Sequence, residues 1–193
     1  MQKRSLNHGS ILNTKKNFNK GETMPNWCDN YVEITGPKKT IDEIEAIVDE
    51  KNNEKEREHG LLNYLRPMPV EEKENWYQWS VDNWGTKWEV KEYYGAKREG
   101  NKICFSFQSA WGPPTEAFDY FYDEKEDVNV NLKYYEPGMD FAGIYENGEH
   151  KSYTLSEAAP NGVKDVFWKT AEGKSLDDTF EIVQQMIDFG EYD

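Results

Sequence analysis

The short turn Trp84-Gly85-Thr86-Lys87-Trp88 contains the residue types in this chain that are best suited to hold a ligand. Indole faces stack on planar groups and attract cations, and a glycine turn leaves backbone N–H groups open to an anion. Lys87 would add a point charge for an anion or a carbonyl oxygen. In the alternative interpretation, both indoles cover the edge of a sheet and Gly85 supplies an unusual backbone angle. For the turn taken alone, the sequence favours this structural corner.

Tryptophan is concentrated around this turn, because five indoles occur within the 36 residues from 76 to 111. This is more than the core of a small domain needs. If several of these rings line one cleft, a planar ligand or an apolar anchor from a partner protein would bind there. The residues of this candidate cleft are Trp76, Trp79, Trp84, Gly85, Thr86, Lys87, Trp88 and Trp111.

Two groups of carboxylates form the second kind of candidate site. The first group lies on the outer face of a predicted helix near residue 45, and the second lies at the end of a predicted helix near residue 120. The second group lacks the spacing of a calcium-binding loop and is expected to be a solvated face rather than an acid/base pair. Together they form a predicted acidic surface for a partner, consisting of Asp42, Glu43, Glu45, Asp49, Glu50, Asp123, Glu124, Glu126 and Asp127.

The sequence contains no arrangement that is typical of catalysis. It has no local Ser-His-Asp or Cys-His pattern, and no glycine-rich phosphate loop precedes a helix. The two cysteines, Cys28 and Cys104, are too few for a thiolate zinc site, and the three histidines lie in polar, turn-like stretches. We therefore expect a protein that is not an enzyme and that needs neither a metal nor a cofactor.

Net charge narrows the range of partners. The 193 residues carry a formal charge of −14, and residues 1–23 contribute five cations and one anion to it. The chain from Met24 onward therefore has a net charge of −18, which repels phosphate backbones and attracts basic surfaces. Four arginines are also few for binding phosphate or guanine. We expect no direct binding to nucleic acid, even though one predicted sheet face, with Trp27 and Tyr31, has aromatic residues like those of RNA-binding platforms.

The first 23 residues differ from the remainder of the chain. They lack apolar periodicity and are expected to be a disordered extension. The stretch Lys20-Gly21-Glu22-Thr23-Met24 can be encoded by a purine-rich ribosome-binding sequence followed by a start codon, so natural translation is expected to begin at Met24. The chain has no run of about 18 apolar residues and no apolar signal peptide, and we expect a cytoplasmic protein.

The elements that must position the candidate residues are predicted from apolar periodicity. Alternation over residues 26–36 predicts a strand, and apolar residues at helical spacing predict a helix over 38–51. Two strands joined around Gly100-Asn101, a helix after Pro114 and a strand over 128–138 follow. This β-α-β-β-α-β order predicts an α+β fold, a ferredoxin-like sandwich with an antiparallel sheet and both helices on one face. Cys28 and Cys104 are predicted to point to opposite faces of the sheet.

Residues 24–193 are predicted to form a single domain, with a core over 24–138 and a C-terminal extension over 139–193. An aromatic insert over 71–84 interrupts the core, and the extension consists of a hairpin turning at Asn147-Gly148 and a closing helix. The insert and the extension are expected to cover part of the sheet face that the two core helices leave open. The closing helix is predicted to begin at Ser175 and to bury a stripe of Leu176, Phe180, Val183 and Ile187.

Five short motifs occur in order between Met24 and Gly143, namely MPNWCDN, PMP, NWGTKWE, SAWGPP and YYEPGMDFAG. On these motifs the chain resembles the YubB ferredoxin-like family of small proteins carried on plasmids and bacteriophages. The resemblance implies the ferredoxin-like fold and an accessory gene of a mobile element, and it implies no particular activity. The family motif often has Asp after its second Trp, where this chain has Glu89, which keeps the charge and lengthens the reach.

These observations lead to two hypotheses about function. The first is a non-enzymatic acidic protein of a phage or another mobile element that blocks a host factor, for example a defence component, through its negative surface. Its partner would be a basic or nucleic-acid-handling protein of the host bacterial cell. The second is a receptor or sponge for a small molecule, such as a nucleotide-like signal, that uses the tryptophan cleft.

Overall fold

A computed structural model of the chain describes residues 26–52 and 60–189. In these ranges six strands form one antiparallel sheet in the order β2-β3-β1-β4-β5-β6, and seven α-helices lie on its two faces. The strands are β1 Trp27–Thr35, β2 Tyr93–Glu99, β3 Lys102–Ala110, β4 Asn129–Glu136, β5 Phe141–Glu146 and β6 Glu149–Thr154. The helices are α1 Lys38–Val48, α2 Leu61–Leu65, α3 Trp76–Trp84, α4 Thr115–Glu124, α5 Leu155–Ala158, α6 Ala171–Phe180 and α7 Ile182–Asp188. The predicted α+β class is confirmed.

Strand β1 lies between β3 and β4 in the sheet, and its alternating pattern is borne out residue by residue. Val32 and Ile34 are fully buried, and they pair with the buried Phe105 and Ile103 of β3. Side chains of paired residues lie on the same face of the sheet, so these four form one apolar layer. Each such fully buried side chain contributes about 1.5–3 kcal/mol relative to an exposed one.

Helices α1 and α4 cover this layer, as their apolar spacing predicts. Ile41, Ile44 and Val48 of α1 are fully buried, and so are Phe118 and Phe121 of α4. All five belong to the same core cluster as the strand residues beneath them. Both helices therefore lie on one face of the sheet.

The aromatic insert packs on the same face as α1 and α4, so the prediction that it would cover the opposite face is wrong. Its helix α3 packs against α4, and Trp84 and Trp79 join the core cluster together with Leu65 of α2. The indole N–H of Trp84 donates to the Arg66 carbonyl oxygen at 2.9 Å. The insert thus enlarges the first core.

The C-terminal extension covers part of the opposite face, and this half of the prediction is confirmed. Tyr135 of β4 and Ala142 of β5 point to that face and pack in a second cluster with Leu176 and Ile182. Lys133 of β4 also donates to Thr179 of α6 at 3.1 Å. The partly exposed β1 residues Asp29, Tyr31 and Glu33 lie on the same face.

The closing helix differs from its prediction in two ways. It begins at Ala171 rather than Ser175, because the Thr170 hydroxyl caps it by accepting from Gly173 N–H at 3.0 Å. It is also interrupted at Glu181, whose φ of +54° separates α6 from α7. The interruption turns Ile182 and Met186 inward, and Ile187 is 51% exposed instead of buried. The predicted stripe is therefore right at Leu176 and wrong at Ile187.

Both predicted hairpin turns are confirmed. Asn147 and Gly148 have φ values of +49° and +85°, the signs that a type I′ turn requires. The two cysteines also lie as predicted, because Cys28 shares the β1 face of Val32 and Ile34, and Cys104 pairs with Glu33 on the other face. Among residues 26–52 and 60–189, no helix is long and apolar enough to cross a membrane. The extension predicted for residues 1–23 lies outside the described residues.

Candidate functional site

The Trp84–Trp88 turn begins as the end of helix α3. Gly85 adopts a φ of +80°, and its N–H donates to the Val81 carbonyl oxygen at 3.2 Å, which is the usual glycine cap of a helix. Trp84 is 5% exposed, and the ring of Trp79 meets it edge-on at a centroid distance of 5.3 Å. Two of the five predicted cleft tryptophans, Trp79 and Trp84, therefore pack in the core.

Thr86 and Glu89 tie the turn to neighbouring elements. The buried Thr86 hydroxyl donates to the Ala110 carbonyl oxygen at the end of β3, at 2.8 Å. The Glu89 carboxylate accepts from the N–H groups of Leu62 and Asn63 at 2.8 Å each and from Val90 N–H at 2.9 Å. It thereby caps the first turn of α2 from 26 and 27 residues away. Both side chains have structural roles in this arrangement.

Lys87 lies over two of the remaining indoles. Its ammonium nitrogen is 4.5 Å from the ring centroid of Trp88 and 4.9 Å from that of Trp111. These distances are typical of cation–π contacts. The lysine ammonium group thus lies over one face of each ring, where a stacked planar ligand was one expectation. Trp88 also packs against Trp27, at a centroid distance of 6.3 Å.

Three aromatic side chains next to this contact form an exposed strip, which we call the aromatic ridge: Trp76, Tyr77 and Trp111. They are 43%, 44% and 40% exposed, respectively. Tyr77 meets Trp76 edge-on at 5.9 Å and Trp111 edge-on at 6.0 Å. Tyr77 was missed at the level of sequence, although its place beside Trp76 in an aromatic run was a usable signal.

The backbone holds Trp111 in an unusual conformation at one end of this ridge. Its φ is +74°, a region that large L-residues rarely adopt. The Trp111 N–H donates to the Asn26 carbonyl oxygen at 2.8 Å, which helps to hold this conformation. Strain of this kind is maintained by surrounding structure and concentrates at functional positions.

Exposed carboxylates lie on α3, on the segment before it and on the adjacent α4. Glu71 and Glu74 are exposed just before α3, Asp82 is exposed on α3, and Glu116 and Asp119 are exposed on the adjacent α4. We call these five residues the acidic rim. Sequence periodicity did not group them, because they come from three elements that only the packing of α3 against α4 brings together.

The predicted acidic surface on α1 is largely engaged by cations of the same chain. Asp42 contacts Lys38 and Arg98 at 2.7 Å each, and these two cations hold the pKa of its carboxyl below the ordinary value. Arg98 also contacts Glu45, and Glu43 accepts from the Tyr64 hydroxyl at 2.8 Å. The α1 carboxylates are therefore less available to a partner than their spacing indicates.

The other predicted carboxylates differ among themselves. Asp49 accepts from Lys51 N–H at 3.0 Å, and Glu50 accepts from Gly95 N–H at 2.6 Å. The group at the end of α4 is exposed and makes no hydrogen bond or ion pair within the described ranges. This group consists of Asp123, Glu124, Glu126 and Asp127.

A polar cleft opens beside Gly85, and its residues were not predicted as a site apart from Gly85 itself. The Tyr134 hydroxyl and His150 Nε2 share a hydrogen bond of 2.6 Å across its floor, and the Thr115 hydroxyl donates to Glu116 Oε2 at 2.9 Å. Burial raises the pKa of Tyr134 to about 12, so its phenol keeps its proton at neutral pH. The cleft has a volume of about 300 Å³ and is lined by Gly85, Pro113, Thr115, Glu116, Tyr134, Phe141, His150 and Ser152.

No protein-family model matches the chain, and no curated protein matches it. One solved structure, the crystal structure of protein api92 from Yersinia pseudotuberculosis, of family DUF1281, is similar with a TM-score of 0.40. The two sequences are 11% identical, and the similarity covers 67% of this chain and 98% of that one.

Proposed function

We propose that this protein is a non-enzymatic binding protein that blocks a basic host protein through the aromatic ridge and the acidic rim. The observation that carries the proposal is the exposure of Trp76, Tyr77 and Trp111 as one contiguous strip on a strongly acidic chain. Tryptophan and tyrosine are the residue types most often found at the energetic centre of protein interfaces. The carboxylates around them suit the polar edge of such an interface.

The charge of the rim defines the expected chemistry of the partner. A negative surface accelerates association with a positive one and disfavours acidic partners. Glu71, Glu74 and Asp82 are exposed, so their attraction to a partner is screened by salt. A nucleic-acid-handling protein fits this description, because its own binding groove is basic.

The biological setting of the proposal comes from the sequence resemblance. We propose membership of the YubB ferredoxin-like family, and hence a phage or another mobile element whose product acts in the cytoplasm of the host bacterium, for instance against a defence factor. The strand order β2-β3-β1-β4, with α1 and α4 on one face, supports a ferredoxin-like unit within residues 24–138. Strands β5 and β6 with α5 to α7 then form the extension over 139–193.

The experiment is an affinity capture from a bacterial host lysate, at about 50 mM and about 500 mM salt. The immobilised proteins are the wild type, the double variant Trp76→Ala/Trp111→Ala and the control Phe189→Ala. Phe189 is a suitable control because its aromatic ring is 76% exposed at the far end of the chain. We expect the wild type and the control to retain the same basic protein at low salt. The double variant should lose it, and high salt should release it.

The proposal fails if the double variant retains the same proteins as the wild type. It also fails if the retained proteins are acidic or are insensitive to salt. Loss of one interface anchor costs about 2 kcal/mol or more of binding free energy, so removal of a genuine anchor lowers the affinity by about 30-fold or more.

The sponge hypothesis receives less support from the geometry. Lys87 already lies over one face of Trp88 and one face of Trp111, and the nearby carboxylates disfavour an anionic ligand such as a nucleotide. Titration of the wild type and of Lys87→Ala with a nucleoside triphosphate, followed by tryptophan fluorescence, separates the two functions. A saturable response of the wild type that is lost in the variant would favour the sponge.

A further inference from the structure

We propose that the polar cleft binds the guanidinium group of an arginine side chain. This inference deepens the proposed function and rests on it, because the arginine would belong to the basic partner protein. The cleft lies beside Gly85, directly after helix α3, and its carboxylate Glu116 belongs to the acidic rim. A partner that covers the aromatic ridge is therefore in reach of the cleft.

Glu116 supplies the negative charge of the cleft in a fixed position. Its Oε2 accepts from the Thr115 hydroxyl at 2.9 Å and lies so close to the Gly85 Cα that any side chain at position 85 would collide with it. Its Oε1 has no hydrogen-bond partner within residues 26–52 and 60–189. A carboxylate with a free oxygen and a restrained orientation is suited to the paired N–H groups of a guanidinium.

Aromatic rings form part of the cleft wall. Phe141 meets Tyr134 edge-on at a centroid distance of 5.9 Å, and the His150 ring lies 5.6 Å from Tyr134. Planar guanidinium groups stack on such rings more readily than the compact ammonium group of lysine does. Charge and wall together therefore favour arginine over lysine.

Two buried polar side chains on the sheet face of Tyr134 are short of hydrogen-bond donors. Asn30 pairs with Tyr134 across β1 and β4, and Glu136 lies two residues further along β4, so all three share one sheet face. Asn30 and Glu136 are 1% and 2% exposed, and each has one side-chain oxygen without a donor among the described residues. Neither residue lines the cleft, so these oxygens do not bond to a ligand there. They add negative potential behind the Tyr134 side of the cleft, which favours a cationic ligand over an anionic one.

Gly143 makes room for this arrangement. A Cβ at position 143 would overlap the Tyr134 hydroxyl and the Lys151 carbonyl oxygen. The absent side chain allows the Tyr134 ring to cross β5 and reach His150 on β6. The volume of about 300 Å³ is sufficient for a single arginine side chain.

The test uses the full chain labelled with ¹⁵N and a probe peptide, acetyl-Gly-Arg-Gly-amide. The matched probe contains citrulline, which has nearly the same shape as arginine and no charge. We expect the arginine probe to shift the backbone amide signals of Gly85, Glu116 and His150 in a saturable manner, and the citrulline probe to bind at least tenfold more weakly. Glu116→Gln should weaken the arginine probe by a similar factor. Glu124→Gln removes the same charge at an exposed position on the same helix and should leave binding of the arginine probe unchanged.

Equal binding of both probes, unchanged binding by Glu116→Gln, or the absence of saturable shifts at these residues would overturn the inference. Its failure is distinguishable from failure of the proposed function. If the aromatic-ridge variants still lose a basic partner while the arginine probe does not bind, only the cleft assignment is wrong. If the probe binds but the aromatic-ridge variants retain every captured protein, only the proposed function is wrong.

Discussion

Replacing Glu89 by alanine should destabilise the fold through helix α2, although the two lie far apart in sequence. The carboxylate accepts from Leu62, Asn63 and Val90 at 2.8–2.9 Å, and the first two of these N–H groups belong to the first turn of α2. A helix of five residues has few backbone bonds of its own, so it depends on such a cap. The buried Leu61 and Leu62 are held in the core by the same turn.

The size of the effect follows from the bonds that are lost. A hydrogen bond to a charged group contributes about 1.5–3 kcal/mol, and a buried donor left without a partner costs about 1–3 kcal/mol. Glu89 is partly exposed, so water will replace some of the lost acceptors. We therefore expect Glu89→Ala to lower the free energy of unfolding by about 3 kcal/mol, with a fall in Tm of about 6–12 °C.

A double-mutant cycle with Gly60 tests the physical reason. Gly60 directly precedes α2, and an added Cβ would overlap the Glu89 side chain. Gly60→Ala should therefore displace the carboxylate and destabilise the wild type by about 1–3 kcal/mol. In the Glu89→Ala background these overlapping atoms are gone, and the same substitution should cost much less.

The assay is urea unfolding of the four proteins followed by far-ultraviolet circular dichroism. Glu126→Ala serves as the control, because this exposed carboxylate makes no hydrogen bond within the described ranges and its loss should change stability by less than about 0.5 kcal/mol. Additive effects of Gly60→Ala and Glu89→Ala would refute the capping explanation. A loss of less than about 1 kcal/mol for Glu89→Ala would do the same.

Three further predictions concern the sheet and its two faces. Burial raises the pKa of the Asp29 carboxyl, so its charged form opposes folding at neutral pH. This penalty disappears below the unfolded-state pKa of about 4, where the carboxyl is protonated in both states. Asp29→Asn keeps the acceptor for Gln108 and should be more stable than the wild type at pH 7. The stability difference, measured by urea unfolding, should vanish at about pH 3. A difference that does not change with pH would contradict this reasoning. Gly143→Ala should lower the free energy of unfolding by about 1–3 kcal/mol and change the near-ultraviolet circular dichroism of tyrosine, because the added Cβ overlaps the Tyr134 hydroxyl. Gly112→Ala is the control and should do neither, because a Cβ there makes only ordinary contacts. Trp84→Phe loses the hydrogen bond to the Arg66 carbonyl oxygen and should lower the free energy of unfolding, measured by thermal unfolding, by about 2–3 kcal/mol. Trp76→Ala, at an exposed position, is the control, and a similar loss for both variants would argue against the buried role of Trp84.

Features that depend on neighbouring residues could be predicted from the sequence. The burial of β1 alternates as its residue types indicate, and α1 fully buries three of the four apolar residues at helical spacing. The turn at Asn147-Gly148 was identifiable because few residue pairs tolerate two positive φ angles. In each case the determining interaction spans at most a few positions along the chain.

Other features depend on contacts between distant residues, and periodicity carries no information about them. The α1 carboxylates looked free until the fold placed Arg98 beside Asp42 and Glu45. The closing helix looked continuous in the sequence. Its interruption at Glu181 is stabilised by the burial of Ile182 in the second cluster, which periodicity does not show. Local preferences did not reveal either outcome.

The candidate site illustrates the same division. The sequence by itself determined that tryptophans and carboxylates are abundant, that the chain is strongly acidic and that a glycine turn follows Trp84. Only the tertiary structure decided that Trp84 is buried while Trp111 is exposed, and that Glu116, Tyr134 and His150 share one cleft. The physical reason is that burial and charge pairing are set by which elements pack together, and that choice is made by the whole chain.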